Sequence, residues 1–401
     1  MKFTRVFAFM ALAGLAGSAF ATDGYFSHGY GMKAKGMGGA ATATSDDAFF
    51  GANNPAAAAF AGNRLDLGVD LFSPRRKSSY EMGGTTVASS DSDSKYFLIP
   101  EFGYNHMMSN DLALGVSVYG NGGMNTNYPT VAAFGGANLL MGTGRLGVDL
   151  MQLIIAPTAA YKLVPNHSIG ISPLIGYQRF RAEGLDAFGL SNQGYDDAWG
   201  YGVRIGYFGK ITPTVSIGAA YASKMNFNEF SKYKNLFAEQ GDFDIPENYN
   251  LGVAWQATPA VQLALDYQRI NYSGVNSIAN PSTNMAPFGA DNGPGFGWQD
   301  VNVWKLGVQY KYSQQLTLRA GYNHTDNPIQ SRDVMINILA PGVVKDHATL
   351  GFTYTLASGN EVTMAYMHAF KNDVTGPIGG GVDAKIEMYQ DSLGIQYSWK
   401  M

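Results

Sequence analysis

Fourteen stretches of the chain alternate apolar and polar residues for about ten positions each, and their connections are by turns very short and long. In 260–274, Val261, Leu263, Leu265 and Tyr267 fall on one face, while Gln262, Ala264, Asp266 and Gln268 fall on the other, because successive side chains of a strand point to opposite sides. The same beat runs through Leu65/Leu67/Val69/Leu71, Leu316/Leu318/Ala320/Tyr322 and Leu393/Ile395/Tyr397/Trp399. One face of each strand suits hydrocarbon. Inside a bilayer every backbone N–H and C=O must be paired within the protein, so strands of this length have to close on themselves. The pattern therefore predicts an all-β fold, a 14-stranded antiparallel transmembrane β-barrel.

Composition agrees. Charged residues make up 14% of the 401, well below the roughly 25% of soluble domains. No apolar run beyond the first twenty residues reaches the ~18 needed for a membrane helix. The 50 Gly, 24 Tyr and 23 Phe suit crowded walls and rings seated at the two membrane interfaces. Lys2 and Arg5, an apolar run over Val6–Gly17 and the cleavage-like Ala19-Phe20-Ala21 read as an export signal with Thr22 as first mature residue. The absence of cysteine removes disulfides and thiolate chemistry, and a net charge of −4 points to no nucleic-acid partner.

Strands are expected at 63–73, 95–106, 111–120, 147–163, 167–181, 198–212, 214–227, 247–257, 260–273, 301–313, 315–325, 346–357, 359–370 and 386–400. The short connections carry turn chemistry, as in Ser109-Asn110-Asp111, Thr212-Pro213, Thr258-Pro259 and Ser313-Gln314, and are placed at the periplasm. The long ones, near 74–94, 121–146, 182–197, 228–246, 274–300, 326–345 and 371–385, are placed outside the cell. A barrel of this size is too wide for its own side chains to fill and too narrow for an open porin channel. The glycine-rich segment 22–62 is left over, either as a leader outside the barrel or as a plug threaded into it; the plug is preferred. The chain then divides into a signal peptide (1–21), an N-terminal hatch (22–62) and the barrel (63–401).

The run Gly36-Met37-Gly38-Gly39-Ala40, then Asp46-Asp47-Ala48, Asn53-Asn54-Pro55-Ala56 and Asn63-Arg64-Leu65 resembles the start of the outer-membrane long-chain fatty acid transporter family (FadL/TodX). The final stretch Asp391–Trp399 is similar to that family's last strand. One departure is the terminal Met401, where an aromatic residue is usual, although Trp399 stays in phase. The resemblance implies a hatch inside the lumen, energy-independent diffusion of hydrophobic substrates, and a kink in the third strand that opens the wall. Gly120-Asn121-Gly122-Gly123, which ends a clean alternation over Leu112/Leu114/Val116/Val118, is the candidate for that kink; it also reads as the strand's plain end. Asn54, Pro55 and Ala56 are the expected hatch and gating residues, with Asn54 bonding the wall, Pro55 fixing the turn, and the turn touching the third strand. An ordinary turn without gating is the other reading.

A greasy cargo needs such a route because each CH₂ prefers an apolar site to water by about 0.8 kcal/mol, and lipopolysaccharide blocks direct partitioning. Capture is expected at Val131, Phe134, Leu139, Leu140 and Met141 of one outer loop, facing Phe230 and Phe237 of another. The first loop equally reads as a short helix packed on its neighbours. A carboxylate head group would find Arg204, Lys305 or Arg319, which point inward by strand phase, unless these are neutralised by carboxylates such as Asp46, Asp47, Asp66, Asp70 or Asp266. Fatty acids, alkanes and aromatic hydrocarbons all remain open as cargo. Other expected partners are outer-membrane lipid, lipopolysaccharide and the barrel-assembly machinery, for a monomer in the outer membrane of a Gram-negative bacterium. No cofactor, metal or catalytic group is expected: the six His residues lack ligand spacing, and no strand carries an inward Ser/His pair for an outer-membrane hydrolase. A general porin for polar solutes is the main rival.

Overall fold

Each strand pairs antiparallel with the next in the computed structural model, which describes residues 23–401. The expected signal peptide and Thr22 lie outside the described residues. Of the sixteen hydrogen-bonded segments, two are accessory, Thr85–Asp91 and Asn226–Phe227, which leaves fourteen staves. These are β1 (Arg64–Met82), β2 (Phe97–Met107), β3 (Leu112–Asn125), β4 (Gly147–Val164), β5 (His167–Glu183), β6 (Asp196–Lys210) and β7 (Val215–Ala222), then β8 (Asn248–Thr258), β9 (Val261–Ile270), β10 (Val301–Lys311), β11 (Leu316–Thr325), β12 (Asp346–Thr355), β13 (Glu361–Gly379) and β14 (Val382–Lys400). β14 pairs with all of β1, from Arg64↔Lys400 to Met82↔Val382, and closes the cylinder. No edge remains between first and last strand to seek a partner.

One rim is built from a repeated local device. At four short connections a Ser or Thr hydroxyl accepts the N–H three residues on: Leu112 N to Ser109 Oγ (3.1 Å), Val215 N to Thr212 Oγ1 (3.0 Å), Val261 N to Thr258 Oγ1 (3.0 Å) and Leu316 N to Ser313 Oγ (3.0 Å). Such side chains satisfy turn amides without a ladder partner, so the chain reverses in few residues. The opposite rim carries the long loops.

Alternation sorts the wall as expected. Leu251, Leu306 and Leu350 face outward, the last 62% exposed, and aromatic neighbours such as Tyr267–Trp304 and Tyr397–Trp399 mark the two interfaces. The inward face is polar and buried, because residues 23–62 fill the lumen: residues 23–43 are buried throughout. This segment contains a short helix α1 (Met32–Gly36) and a 3₁₀ turn (Pro55–Phe60) but little else that is regular, so its backbone needs partners from the wall. Asp266 Oδ2 accepts from Ala41 N and Thr42 N (both 2.8 Å), Asp66 Oδ2 from Ala48 N (2.7 Å) and Gln396 Oε1 from Met32 N (2.9 Å). Charges are matched as well. Lys35 Nζ bridges Asp70 (2.9 Å) and Glu101 (2.8 Å), and Lys33 Nζ meets Glu361 at 2.7 Å.

Several strand boundaries differ from expectation. β1 runs on to Met82 and turns into Thr85–Asp91, and the presumed loop 371–385 is the tip of the β13/β14 hairpin. The inner face of these extensions is buried under the loops through Tyr80, Ala88, Ala384, Ile386 and Met388, while polar residues such as Glu81 and Asp383 face outward, so they lack the lipid-facing beat of the staves. Conversely, β7 stops at Ala222, and Asn226–Phe227 pairs separately with Gly200 and Tyr201 of β6.

The Lys35 triad predicts how the hatch is held. Lys35→Met would leave Asp70 and Glu101 buried side by side without their cation, costing about 3–5 kcal/mol. The variant is expected to keep a folded, heat-modifiable barrel on gels but to show raised ion conductance in planar bilayers; adding Asp70→Asn and Glu101→Gln should reverse the leak. Unchanged conductance in the single variant would show that the hatch is anchored elsewhere.

Candidate functional site

The wall parts at one place. β2 pairs with β3 from Met107↔Ala113 to Phe102↔Val118 and no further, while β3 stays with β4 as far as Asn125↔Asp149. The register of β3 slips between Gly120 and Gly122, leaving Asn121 as the extra residue of a bulge, which bends and twists the strand. Above the break the wall rejoins, with Asp93 N donating to Asn127 O (2.9 Å) and Asn127 N to Ser92 Oγ (3.0 Å). The result is a window bordered by 97–101 and 119–124.

The hatch lies against this window. Ser27 N donates to Asn121 O (3.2 Å), Gly123 N to Tyr25 O (3.3 Å) and the Tyr30 hydroxyl to Asn121 O (3.1 Å). A Cβ on Gly122 would stand 1.8 Å from Tyr25 O. Glycine is therefore required there by the approach of another backbone.

Behind the window are narrow apolar crevices, together a cavity of about 20 Å³, walled by Tyr25, Phe72, Met124, Trp298, Pro341 and Met388, with Arg76 also in the lining. Trp298 is held by its Nε1 donating to Asn337 Oδ1 at 2.6 Å. An unbroken chain of rings leads outward from it: Trp298–Tyr25 (6.0 Å between centroids), Tyr25–Phe243 (6.3 Å), Phe243–Phe237 (4.8 Å), Phe237–Phe180 (4.7 Å) and Phe180–Tyr233 (4.7 Å). Tyr233 also lines an outer groove of about 80 Å³ with Leu185, Leu190 and Leu236. A row of packed rings therefore runs from the outer groove to the window.

Several expected site residues sit differently. Val131, Leu139 and Leu140 are buried and Phe134 is half-buried; Met141, 59% exposed, is the one of the five that faces water fully. Asn138 folds this loop inward, accepting from Leu140 N and Gly142 N and donating to Gly184 O, while the Tyr80 hydroxyl donates to Leu139 O. The broad exposed patch expected there is thus replaced by a packed lid with a 3₁₀ turn at Ala132–Phe134. Phe230 and Phe237 are likewise buried, as links of the aromatic chain.

Asn54 caps the 3₁₀ turn, accepting from Ala56 N (3.1 Å) and donating to Thr42 O (2.8 Å) and Tyr207 O (2.9 Å), and Pro55 begins the turn. The Ser168 hydroxyl donates to Ala56 O at 2.8 Å. These hydrogen bonds are to β5 and β6, while the turn packs against the start of the third strand, where Ala113 shares a cluster with Ala56–Ala59. The β3 bulge itself is reached by residues 25–27, because the glycines there admit a backbone.

Arg204, Lys305 and Arg319 are buried and inward, but away from the apolar cavity. Arg319 donates to Gln309 and Thr353, Arg204 to Asn53 O, and Lys305 lies beside Asp266 in a small polar cavity. A head-group role at the apolar cavity does not fit them. The residues missed by sequence reasoning are Tyr25, Phe72, Arg76, Trp298 and Met388. Phe72 left a signal: it breaks the alternation next to Leu71 and falls in the inward phase of Asp66 and Asp70.

His324 and His368 pair with Asp346 (2.7 Å) and Asp391 (2.8 Å) respectively, and His28 stacks on His347. Among the described residues no group of three or more metal-ligating side chains is arranged around an ion site.

A family model described as "Outer membrane protein transport protein (OMPP1/FadL/TodX)" matches residues 9–378. Among solved structures, the Pseudomonas putida toluene transporter TodX has a TM-score of 0.71 at 20% identity, covering 93% of this chain and 99% of that one. A Pseudomonas aeruginosa FadL homologue gives 0.74 at 16%, covering 94% and 99%, and the Ralstonia pickettii toluene transporter TbuX 0.66 at 18%, covering 93% and 99%. At such identities these likenesses establish the fold. None of the curated proteins compared matches the chain.

The Gly122 contact predicts that Gly122→Val displaces residues 25–27 from the window without preventing barrel assembly. Raised ion conductance and new protease cleavage near the hatch start are the expected readouts, and a tight, protected variant would contradict the contact.

A second expectation concerns the loop that carries Phe237 and Phe243. Burial, together with the neighbouring Asp244 and Glu239 carboxylates, pushes the Asp242 carboxyl up from 3.8 to about 8, against the pull of Lys224. Since the folded value is the raised one, the loop's stability is greatest below the ordinary pKa, falls as pH climbs toward 8 and levels off above it. Hydrogen exchange over 228–246, corrected for intrinsic rates, should quicken across that range, and Asp242→Asn should flatten the profile.

Proposed function

The chain belongs to the OMPP1/FadL/TodX family of outer membrane transport proteins, and from that premise we propose that it lets small hydrophobic compounds cross the outer membrane passively and leave sideways through the wall. The observation that carries this reading is the apolar cavity lodged between Tyr25 of the hatch and the kinked end of β3, directly behind the window. A hydrophobic solute gains by exchanging water for such a site, and a succession of weak apolar sites lets it move on without an energy source. Capture begins in the groove at Tyr233 and Leu236, and the rings through Phe180, Phe237 and Phe243 hand the solute inward.

In this scheme the hatch is a two-position element. Its residues 25–27 close the window by backbone bonds to Asn121 and Gly123, and occupancy of the cavity favours the arrangement in which they swing away. The crevices are too fine for a ring until Tyr25 moves, which ties entry of cargo to opening. Aromatic walls favour monoaromatic hydrocarbons, the cargo for which two of the similar solved structures are named; long-chain fatty acids and alkanes share the chemistry. A lumen filled by the hatch argues against a porin for polar solutes. The same reading takes residues 1–21 as a removed signal peptide, 22–62 as the hatch and 63–401 as a monomeric barrel, folded by the assembly machinery of a Gram-negative outer membrane amid lipopolysaccharide.

Proteoliposomes should take up labelled toluene much faster than protein-free vesicles while conducting almost no ions in planar bilayers. Large steady conductance to ions and sugars, with no gain in toluene uptake, would instead establish a porin.

A further inference from the structure

Arg76 is 4% exposed and stands at the edge of the apolar cavity. Its guanidinium donates to neutral acceptors: Asn125 O, the Ser92 hydroxyl (3.2 Å), and the Ser94 carbonyl and hydroxyl. Among the described residues no carboxylate lies within ion-pair distance of it, and its Nε has no hydrogen-bond partner. Every other buried cation of the lumen has a different setting: Lys33, Lys35 and Arg64 are ion-paired with Glu361, Asp70, Glu101 and Asp66, and Arg204, Lys305 and Arg319 lie away from the cavity.

A buried charge without a counter-ion costs several kcal/mol unless something compensates it. Placing that charge beside three aromatic walls is wasteful for a pure hydrocarbon and useful for a molecule with an apolar body and an anionic end. We propose that Arg76 is a head-group site, and that the cavity takes single-ring aromatic carboxylates in preference to the matching hydrocarbon. The ring lies among Phe72, Tyr25 and Trp298, and the carboxylate accepts from Nε. Arg76 also holds Asn125 O at the top of the window, so a ligand bound to it touches the element that frames the exit. This inference rests on the cavity being the cargo site.

The test is calorimetric titration of the full mature chain, held in amphipol, with p-toluate, its neutral isostere p-toluamide, and p-xylene. The wild type should bind p-toluate most tightly of the three. Arg76→Met should weaken p-toluate by about tenfold or more, the scale of a charge-assisted hydrogen bond, and p-xylene by less than about twofold. Arg76→Lys should fall between, since it keeps charge but loses the planar fork. Retained p-toluate affinity in Arg76→Met overturns the proposal. So does a wild type that binds p-toluamide as tightly as p-toluate, a comparison that needs no variant to fold. Binding of p-xylene alone defeats the head-group site and leaves the cavity as a hydrocarbon site; binding of none of the three defeats the cargo-site reading as well.

Discussion

A backbone without water must find its hydrogen bonds inside the protein, and both layers of this molecule follow from that requirement. On the lipid side it is met by closing β14 on β1 over the full length of both strands. In the lumen the hatch has almost no ladder of its own, so wall side chains supply the acceptors. Asp66, Asp266, Glu101 and Gln396 each take backbone N–H groups of the hatch. The polar inner wall of this barrel is therefore mostly a mould for the plug. That also explains where the lumen's charges go: Lys33, Lys35 and Arg64 are consumed in fixing the hatch.

At the window the pairing of β2 with β3 ends early, and there the hatch supplies main chain instead of receiving side chains. Tyr25 O and Ser27 N meet the bulge at Asn121–Gly123. In the proposed scheme plug and gate are the same element, since residues 25–27 are the part of the hatch that covers the opening. The Asn54 turn has a different part. Wedged against β5 and β6, where Gly206 leaves room for its side chain, it ties the far end of the hatch to the wall.

The outer loops close over the barrel by packing on one another. Their apolar residues are a buried lid whose aromatic chain runs down to Trp298, not a greasy surface open to water. The groove at Leu185, Tyr233 and Leu236 is the opening that this packing leaves. Arg76 introduces charge among the otherwise apolar lining of the cavity, beside the frame of the window.

Much of the barrel could be read from residues whose neighbours in sequence are also their determinants. Alternation at Val261–Tyr267 depends on the two-residue repeat of a strand, the turn at Ser109 on a hydroxyl three positions from the amide it accepts, and the hatch on a glycine-rich run too irregular to pair with itself. Tertiary structure decided what those elements touch. Tyr25, Phe72, Arg76, Trp298 and Met388 form one cavity although more than three hundred and sixty positions separate the first from the last, and no local pattern encodes a meeting arranged by the closure of the whole cylinder. Leu139 and Phe237 looked exposed because a loop's apolar residues show no periodicity, and burial depends on loops from distant hairpins folding over one another. Strand number and the leftover hatch segment were thus set by short-range geometry, whereas the site was set by which distant walls the closed sheet brings face to face.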